Sequence, residues 1–229
     1  MTPAARRRVA SVSHSVDLVL LASRDGVLHV RVERAAGARG AVQLPWATPR
    51  SGEALVTTAR HLAKRVAGSE PGWIEQLQAF GDQLKHPAAA GLSVAYMGVV
   101  SAPAAGAESK TGGSAAWMSV AAAGLTGRHA AILAVALDAL RARLDDAPIA
   151  FKLLPSTFTL SELQGTYELL LGWSLHKASF RRSLQAAYLV EPTDEWRSEG
   201  RGRPAQLYRF APRKRRQGRR GVRFDFLGS

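Results

Sequence analysis

The sequence predicts an α/β (α+β) fold in two units, a larger mixed domain followed by a small helix-turn-helix with a β-wing. Three observations predict it: a hairpin signature near the start, strand patterns alternating with two long helical repeats, and a closing helix-turn-helix-strand-strand pattern. The 229 residues are 46% hydrophobic with charges spread throughout, enough for a core domain of about 150 residues and a smaller second one.

The first element is a β-hairpin. Two apolar runs, Val16 to Ala22 and Val27 to Val32, meet at Asp25-Gly26, a dipeptide suited to the positive φ angles of a tight turn. Next, Glu53 to Ala67 places Leu55, Ala59, Leu62 and Val66 on one stripe at helical spacing before Gly68, which predicts an amphipathic helix with a basic outer face. "WIEQLQAF" and "GLSVAYMGVVSA" read as strands around a turn-rich Gly81 to Gly91. Residues 103–116 are Gly, Ala and Ser rich and read as a surface loop. Strand-like "AWMSVAA" then leads to a long helix over Arg128 to Leu144, where Leu133, Leu137, Leu140 and Leu144 recur at three- and four-residue steps. Such a short leucine stripe serves intradomain packing or a dimer seam.

The pattern changes after Ile149. Thr159 and Glu162 form a T-x-x-E capping box ahead of Leu160, Leu163, Tyr167 and Leu170, and Gly172 stops that helix. A second helix starts near Ser174 and runs through "LHKASFRRSLQAA", with Phe180, Leu184 and Ala187 inward. Two helices joined by a short turn, then "YLVE" and "AQLYRFA" around a Gly and Arg loop, describe a winged helix-turn-helix. The domains expected are an arm over 1–13, the mixed domain over 14–147, the winged helix over 148–212 and a basic tail over 213–229.

Charge points to a polyanionic partner. Lys and Arg number 31 against 18 Asp and Glu, a formal +13. The surplus is uneven: 16 basic and 11 acidic residues in 1–150, against 15 and 7 in the much shorter 151–229. Nucleic acid at the C-terminal part is the partner this predicts, and the helix-turn-helix narrows it to double-stranded DNA. The chain has no cysteine, which excludes disulfides, Cys-ligated zinc and thiol chemistry. Ser11, Ser13, His14 and Asp17 interrupt any secretory apolar core after Arg6, Arg7 and Arg8, and no run reaches the roughly 18 apolar residues of a membrane span. A cytoplasmic, nucleoid-associated protein without membrane contact is the expectation.

The stretch "LLPSTFTLSELQGTYELLLGWSLHKASFRRSL", closing with "GRPAQLYRF", resembles the DNA-binding half of the Nudix-related transcriptional regulators of NAD metabolism, the NrtR family. "WIEQLQAFGD" and "LSVAYMGVV" resemble the middle of that family's N-terminal domain. The resemblance implies a Nudix-like α/β/α domain ahead of the winged helix, a homodimer, repression of NAD-metabolism genes, and ADP-ribose or a related nucleotide as effector.

It also gives meaning to "GEALVTTARHLAKRVAG" (52–68). The family's hydrolase relatives carry the box G-x5-E-x7-R-E-U-x-E-E-x-G-U, whose glutamates hold Mg²⁺ on a diphosphate. Here Glu53 and Gly68 keep their places, Ala47 replaces the first Gly, His61 stands for Arg, and the three later acids become Leu62, Arg65 and Val66. The lead-in "LPGGF" is altered to "LPWAT". Apolar side chains cannot ligate Mg²⁺ and an arginine repels it, so no catalytic residues and no cofactor are expected.

Candidate site residues follow. Lys177, Ser179, Arg181, Arg182 and Gln185 lie on the second helix of the helix-turn-helix, the one that enters a major groove, and Arg201 and Arg203 flank Gly202 at the wing tip. For ligand binding, Arg50, Arg60, His61, Lys64 and Arg65 are either solvated charges or a metal-free anion cleft, and Trp46 either stacks on a base or is core. No His or carboxylate spacing predicts a metal site. Two alternatives stay open: a divergent Nudix hydrolase with metal ligands from elsewhere, and a DNA-binding protein whose N-terminal domain only dimerises.

Overall fold

A computed structural model describes residues 13–35, 41–81, 83–101, 115–145, 147–198 and 204–211. The arm, most of the 103–116 loop, the wing tip with Arg201 and Arg203, and the basic tail lie outside the described residues.

The opening hairpin forms as its sequence predicts. β1 (His14–Arg24) pairs antiparallel with β2 (Val27–Arg34) across Asp25 and Gly26, whose φ angles of 50° and 71° need residues that tolerate the left-handed region. Three short strands complete this side: β3 (Val42–Gln43) and β7 (Ala115–Ser119) pair with β2, and β4 (Trp46–Ala47) pairs with β1. On the other flank β6 (Leu92–Val99) runs parallel to β1, and β5 (Trp73–Phe80) is antiparallel to β6. The path is β3-β2-β1-β6-β5.

Each face of this sheet is covered by a different helix. Val16, Leu18, Leu20 and Ala22 of β1 pack with Ala59, Leu62, Ala63 and Val66 of α1 (Leu55–Ala67). α1 starts two residues later than its stripe predicts, because Glu53 instead closes a turn by accepting the Arg50 backbone N–H at 3.2 Å. It ends as expected, with Gly68 at φ 74°. The opposite face, with Val19 and Leu21 of β1 and Ala95, Met97 and Val99 of β6, packs with Ile132, Leu133, Ala136 and Leu140 of α2 (Gly127–Ala142).

α2 also reaches the C-terminal unit. Leu140 and Leu144 share one continuous apolar cluster with Ile149 and Phe151 of α3 (Ile149–Lys152), Leu163 and Tyr167 of α4 (Leu160–Leu171), and Phe180 and Leu184 of α5 (Lys177–Ala187). A three-stranded sheet closes that unit in the order β8-β10-β9: β8 (Thr157–Phe158), β9 (Val190–Arg197) and β10 (Ala205–Phe210). No helix among the described residues is long and apolar enough to cross a membrane.

Candidate DNA interface and ligand pocket

The helix-turn-helix is built from its caps outward. Thr159 Oγ1 accepts the Glu162 N–H at 3.1 Å while Glu162 accepts the Thr159 N–H at 2.7 Å, so the sequence-predicted capping box is complete. Gly172, at φ 85°, ends α4 and turns the chain toward α5. α5 begins at Lys177 rather than near Ser174, with His176 as its N-cap and the His176 Nδ1 3.2 Å from Ser179 Oγ. Phe180 and Leu184 are buried and Ala187 is half-buried, as the spacing requires. Lys177, Arg181, Arg182 and Gln185 are exposed, with Ser179 half-exposed between them. Among the described residues no carboxylate lies within ion-pair distance of Lys177, Arg181 or Arg182, and α5 itself contains no acid. A long row of unneutralised donors is what phosphate and guanine edges require.

The N-terminal domain holds a pocket of about 700 Å³ between β3, β4, the β5–β6 connection and the start of α2. Its walls include Gln43, Trp46, Gln83, Lys85, His86 and His129. The volume falls in the range of small-molecule sites.

Beneath the pocket lies a buried polar hub that sequence reasoning missed. Asp17 and Ser15 stand on β1 at the positions that, one and two pleats on, hold Val19 and Leu21 against α2, so Asp17 is a carboxylate on a core face. Its Oδ1 is 2.8 Å from His86 Nε2 and 2.9 Å from His129 Nε2, and its Oδ2 accepts the Ser15 hydroxyl at 2.8 Å. Ser93, opposite Ser15 on β6, stands 3.0 Å from the Ser15 oxygen and accepts from the buried Arg128, which also donates to the Ala90 carbonyl at 2.7 Å. Burial pushes the Asp17 carboxyl up, but the hydrogen bonds donated by His129 and His86 outweigh it and hold the group well below the usual carboxylate range.

The backbone fixes the imidazole tautomers. Leu44 N–H points at His129 Nδ1 (3.1 Å) and Ala88 N–H at His86 Nδ1 (3.1 Å), and a backbone N–H can only donate. Both Nδ1 atoms therefore accept, both Nε2 atoms carry the proton, and both donate to Asp17. The three ligand atoms lie within 4.8 Å of one another, a spacing that suits a metal. Ligation through Nε2 would place a proton on each Nδ1, against the Leu44 and Ala88 N–H groups, the reverse of the partner a metal-bound histidine needs. These residues do not fit a metal. With both nitrogens engaged, each ring offers the pocket only carbon edges, and the Trp46 ring meets His86 edge-on at a centroid distance of 5.5 Å.

The outer face of α1 is occupied differently. Arg65 pairs with Glu33 at 2.5 Å, His61 Nδ1 lies 3.1 Å from Glu53, and Arg60 is 3.9 Å from Glu70. Leu62 and Val66, at the box positions of two acids, are 2% and 1% exposed and fill the interface with the sheet.

The comparisons with known proteins agree with this architecture. The family model of the NrtR DNA-binding winged helix domain matches residues 150–210. Shewanella oneidensis NrtR, solved in complex with a 27mer DNA, superposes with a TM-score of 0.77 at 27% identity, covering 88% of this chain and 94% of that one. The chain is NrtR-like. The ADPR responsive transcriptional repressor NtrR of Acinetobacter baylyi is 30% identical over 160 residues, 69% of this chain, and the chain spans 64% of that relative's length. A MutT/nudix family protein from Enterococcus faecalis shares the fold at a TM-score of 0.69 and 18% identity, covering 89% of each chain.

In this NrtR-like chain the predicted residues separate into three groups. Lys177, Ser179, Arg181, Arg182 and Gln185 share one helix. Trp46 lines the pocket, whereas Arg50, Arg60, His61 and Arg65 are exposed on or beside α1 and do not line it. Asp17, His86 and His129 were legible only in part. The alternation of "SVDLVLL" puts Asp17 in step with Val19 and Leu21, a charge on the core side of a strand, while its partners are 69 and 112 residues away.

Proposed function

We propose that the chain is a DNA-binding transcriptional repressor, acting as a cytoplasmic homodimer, whose N-terminal domain senses ADP-ribose or a related nucleotide. The observation that carries this reading is the unneutralised basic face of α5 within a unit that matches the NrtR winged helix. Lys177 and Arg181 sit one turn apart, so both reach the same groove, where Arg181 can donate to guanine O6 and N7. Phosphate contacts by the remaining cations add affinity without reading sequence. The wing residues Arg201 and Arg203 extend the same reading to the flanking DNA, and NAD-metabolism genes are the targets that the family resemblance implies.

The effector belongs in the 700 Å³ pocket. Trp46 offers a face for a base, Gln43 and Gln83 offer amides for its edges and for hydroxyls, and Lys85 offers a cation for a diphosphate. α2 begins in that pocket and ends in the apolar cluster of the winged helix, about 24 Å away along its axis. Ligand binding that shifts α2 would thereby alter the placement of the two DNA-reading helices in a dimer.

The substituted box supports a sensor over a hydrolase. Leu62 and Val66 are core residues, Arg65 is cationic and ion-paired, and the one remaining acid, Glu53, is held by Arg50 and His61. Release of AMP from ADP-ribose that needs Mg²⁺ and disappears in Glu53→Gln would establish the hydrolase instead.

The test of the whole reading is selection of genomic fragments by the purified protein, followed by titration with ADP-ribose. A defined palindromic site is expected, released by the nucleotide. Arg181→Ala should weaken that site by roughly 1 to 3 kcal/mol per half-site and leave nonspecific binding nearly intact. Equal loss of both would show that α5 is not the reading helix.

A further inference from the structure

α4 touches both DNA-reading elements, and it does so with side chains near its two ends. At the C-terminal end, Glu168 Oε1 accepts the Leu175 N–H at 2.7 Å, and Gln164 Nε2 donates to Glu168 Oε1 and to the Leu175 carbonyl, both at 2.9 Å. Leu175, in the turn two residues before α5, is thus clamped through both of its backbone polar groups. At the N-terminal end, Glu162 uses its two oxygens for different tasks: Oε2 closes the capping box with Thr159, and Oε1 accepts from Arg197 Nη1 at 2.6 Å.

The second bond matters because of strand order. In the sheet β8-β10-β9, β8 ends at Phe158 and runs directly into the Thr159 cap of α4, so that edge is tied to the helix by the chain itself. Arg197 is the last residue of β9, the opposite edge, and it pairs with Ala205 where the two strands lead into the wing tip. The Glu162–Arg197 pair therefore spans from the shared helix cap to the far side of the wing. It adds a side-chain tie at the far edge to the chain connection at the near one.

We propose that Glu162 is a positioning residue for DNA reading: by closing the cap of α4 and holding Arg197, it fixes the wing relative to α5, so that major-groove and flanking contacts are made in one register. This rests on the DNA-binding reading above. Both side chains are 34% exposed, so solvent screens the pair and its purpose is geometric more than energetic. Glu162 and Arg197 touch neither base nor phosphate in this scheme. They hold the base of the wing, where β9 meets β10.

The experiment uses the full chain and its selected DNA site. Glu162→Gln keeps an oxygen for the Thr159 N–H but removes the charge that holds Arg197. Hydroxyl-radical footprints should retain protection over the α5 half-site and lose it at the flanking positions reached by the wing, with specific affinity lower by about three- to tenfold. Arg197→Gln, which leaves the cap untouched, should give the same footprint, and the double variant should be no weaker than either single one. Arg197→Lys, which keeps the charge, should restore most of the flanking protection. A flanking footprint unchanged in both single variants, or losses that add in the double variant, would overturn the latch while leaving DNA binding intact. A wild-type chain with no footprint on any selected site would remove the DNA-binding reading, and the latch with it.

Discussion

α1 and α5 look alike in sequence and differ in what faces them. Each is amphipathic, each carries a basic outer face, and each ends in a left-handed residue, Gly68 after α1 and Tyr188 at φ 52° after α5. Arg60, His61 and Arg65 of α1 meet Glu70, Glu53 and Glu33, carboxylates delivered by the neighbouring loops and by β2. Lys177, Arg181 and Arg182 of α5 meet no carboxylate among the described residues. A cationic face is available to a polyanion only where the fold has not already supplied the anion. Residue type places charge on a helix, and tertiary structure decides whether that charge is free to bind.

The largest expected effect breaks this comparison directly. Arg181→Gln with Arg182→Gln should lower affinity for the selected site by roughly 30-fold or more, since each removed groove or phosphate contact is worth about 1 to 3 kcal/mol, and should flatten the salt dependence. Arg60→Gln with Arg65→Gln removes the same charge from the other helix and should leave DNA affinity within about twofold. Fluorescence anisotropy across a salt series reads both. Similar losses from the two pairs would mean that net charge alone, not its partner, governs binding.

The same distinction explains what was legible beforehand. Local signals carried the Asp25-Gly26 hairpin, the Gly68 stop, the Thr159–Glu162 box and the inward Phe180 and Leu184, because each is decided within a few residues by backbone geometry or helical period. The starts of α1 and α5 were shifted, since Glu53 is drawn into a turn with Arg50 and His176 takes the cap of α5. The Asp17 hub depends on a parallel β1–β6 pairing, on the β5–β6 connection that carries His86 and on the first turn of α2 that carries His129. No spacing rule reaches across those distances. The Arg65–Glu33 pair was hidden for the same reason: Glu33 is remote in sequence, and only the fold brings it to Arg65.

Asp17 supplies the next largest effect, and it tests pairing in the interior. Its carboxyl is held well below the usual range in the folded state, so it binds its proton less readily than in the unfolded chain. The stability it contributes is therefore full above the ordinary carboxylate value of about 3.9 and is lost as pH falls from there through the depressed folded value. Asp17→Asn should cost about 2 to 3 kcal/mol at neutral pH, because an amide offers one acceptor where three donors converge. Denaturation of the two proteins from pH 7 to pH 3 should show the gap closing toward acid. A gap that stays constant would mean that the charge of Asp17 is not what the histidines satisfy.

The smallest effect decides between the two candidate ligand sites. Arg65 is 53% exposed and its partner Glu33 is 13% exposed, so solvent screens the pair and Arg65→Gln should cost at most about 1 kcal/mol of stability. Its consequence for ADP-ribose is the informative measurement. In the pocket reading Arg65 lies off the site, and calorimetric affinity should be unchanged, whereas Trp46→Ala should weaken binding by roughly tenfold through the lost aromatic face. In the box reading the order reverses, because an arginine released from Glu33 would be a principal phosphate contact and Trp46 would be a wall of an empty cavity. Glu33→Gln sharpens the choice further: freeing Arg65 should tighten ADP-ribose binding only if the α1 face is the site. An unchanged affinity in Glu33→Gln and Arg65→Gln, with a loss in Trp46→Ala, assigns the nucleotide to the pocket above the Asp17 hub and leaves the basic face of α1 as a solvated, ion-paired surface.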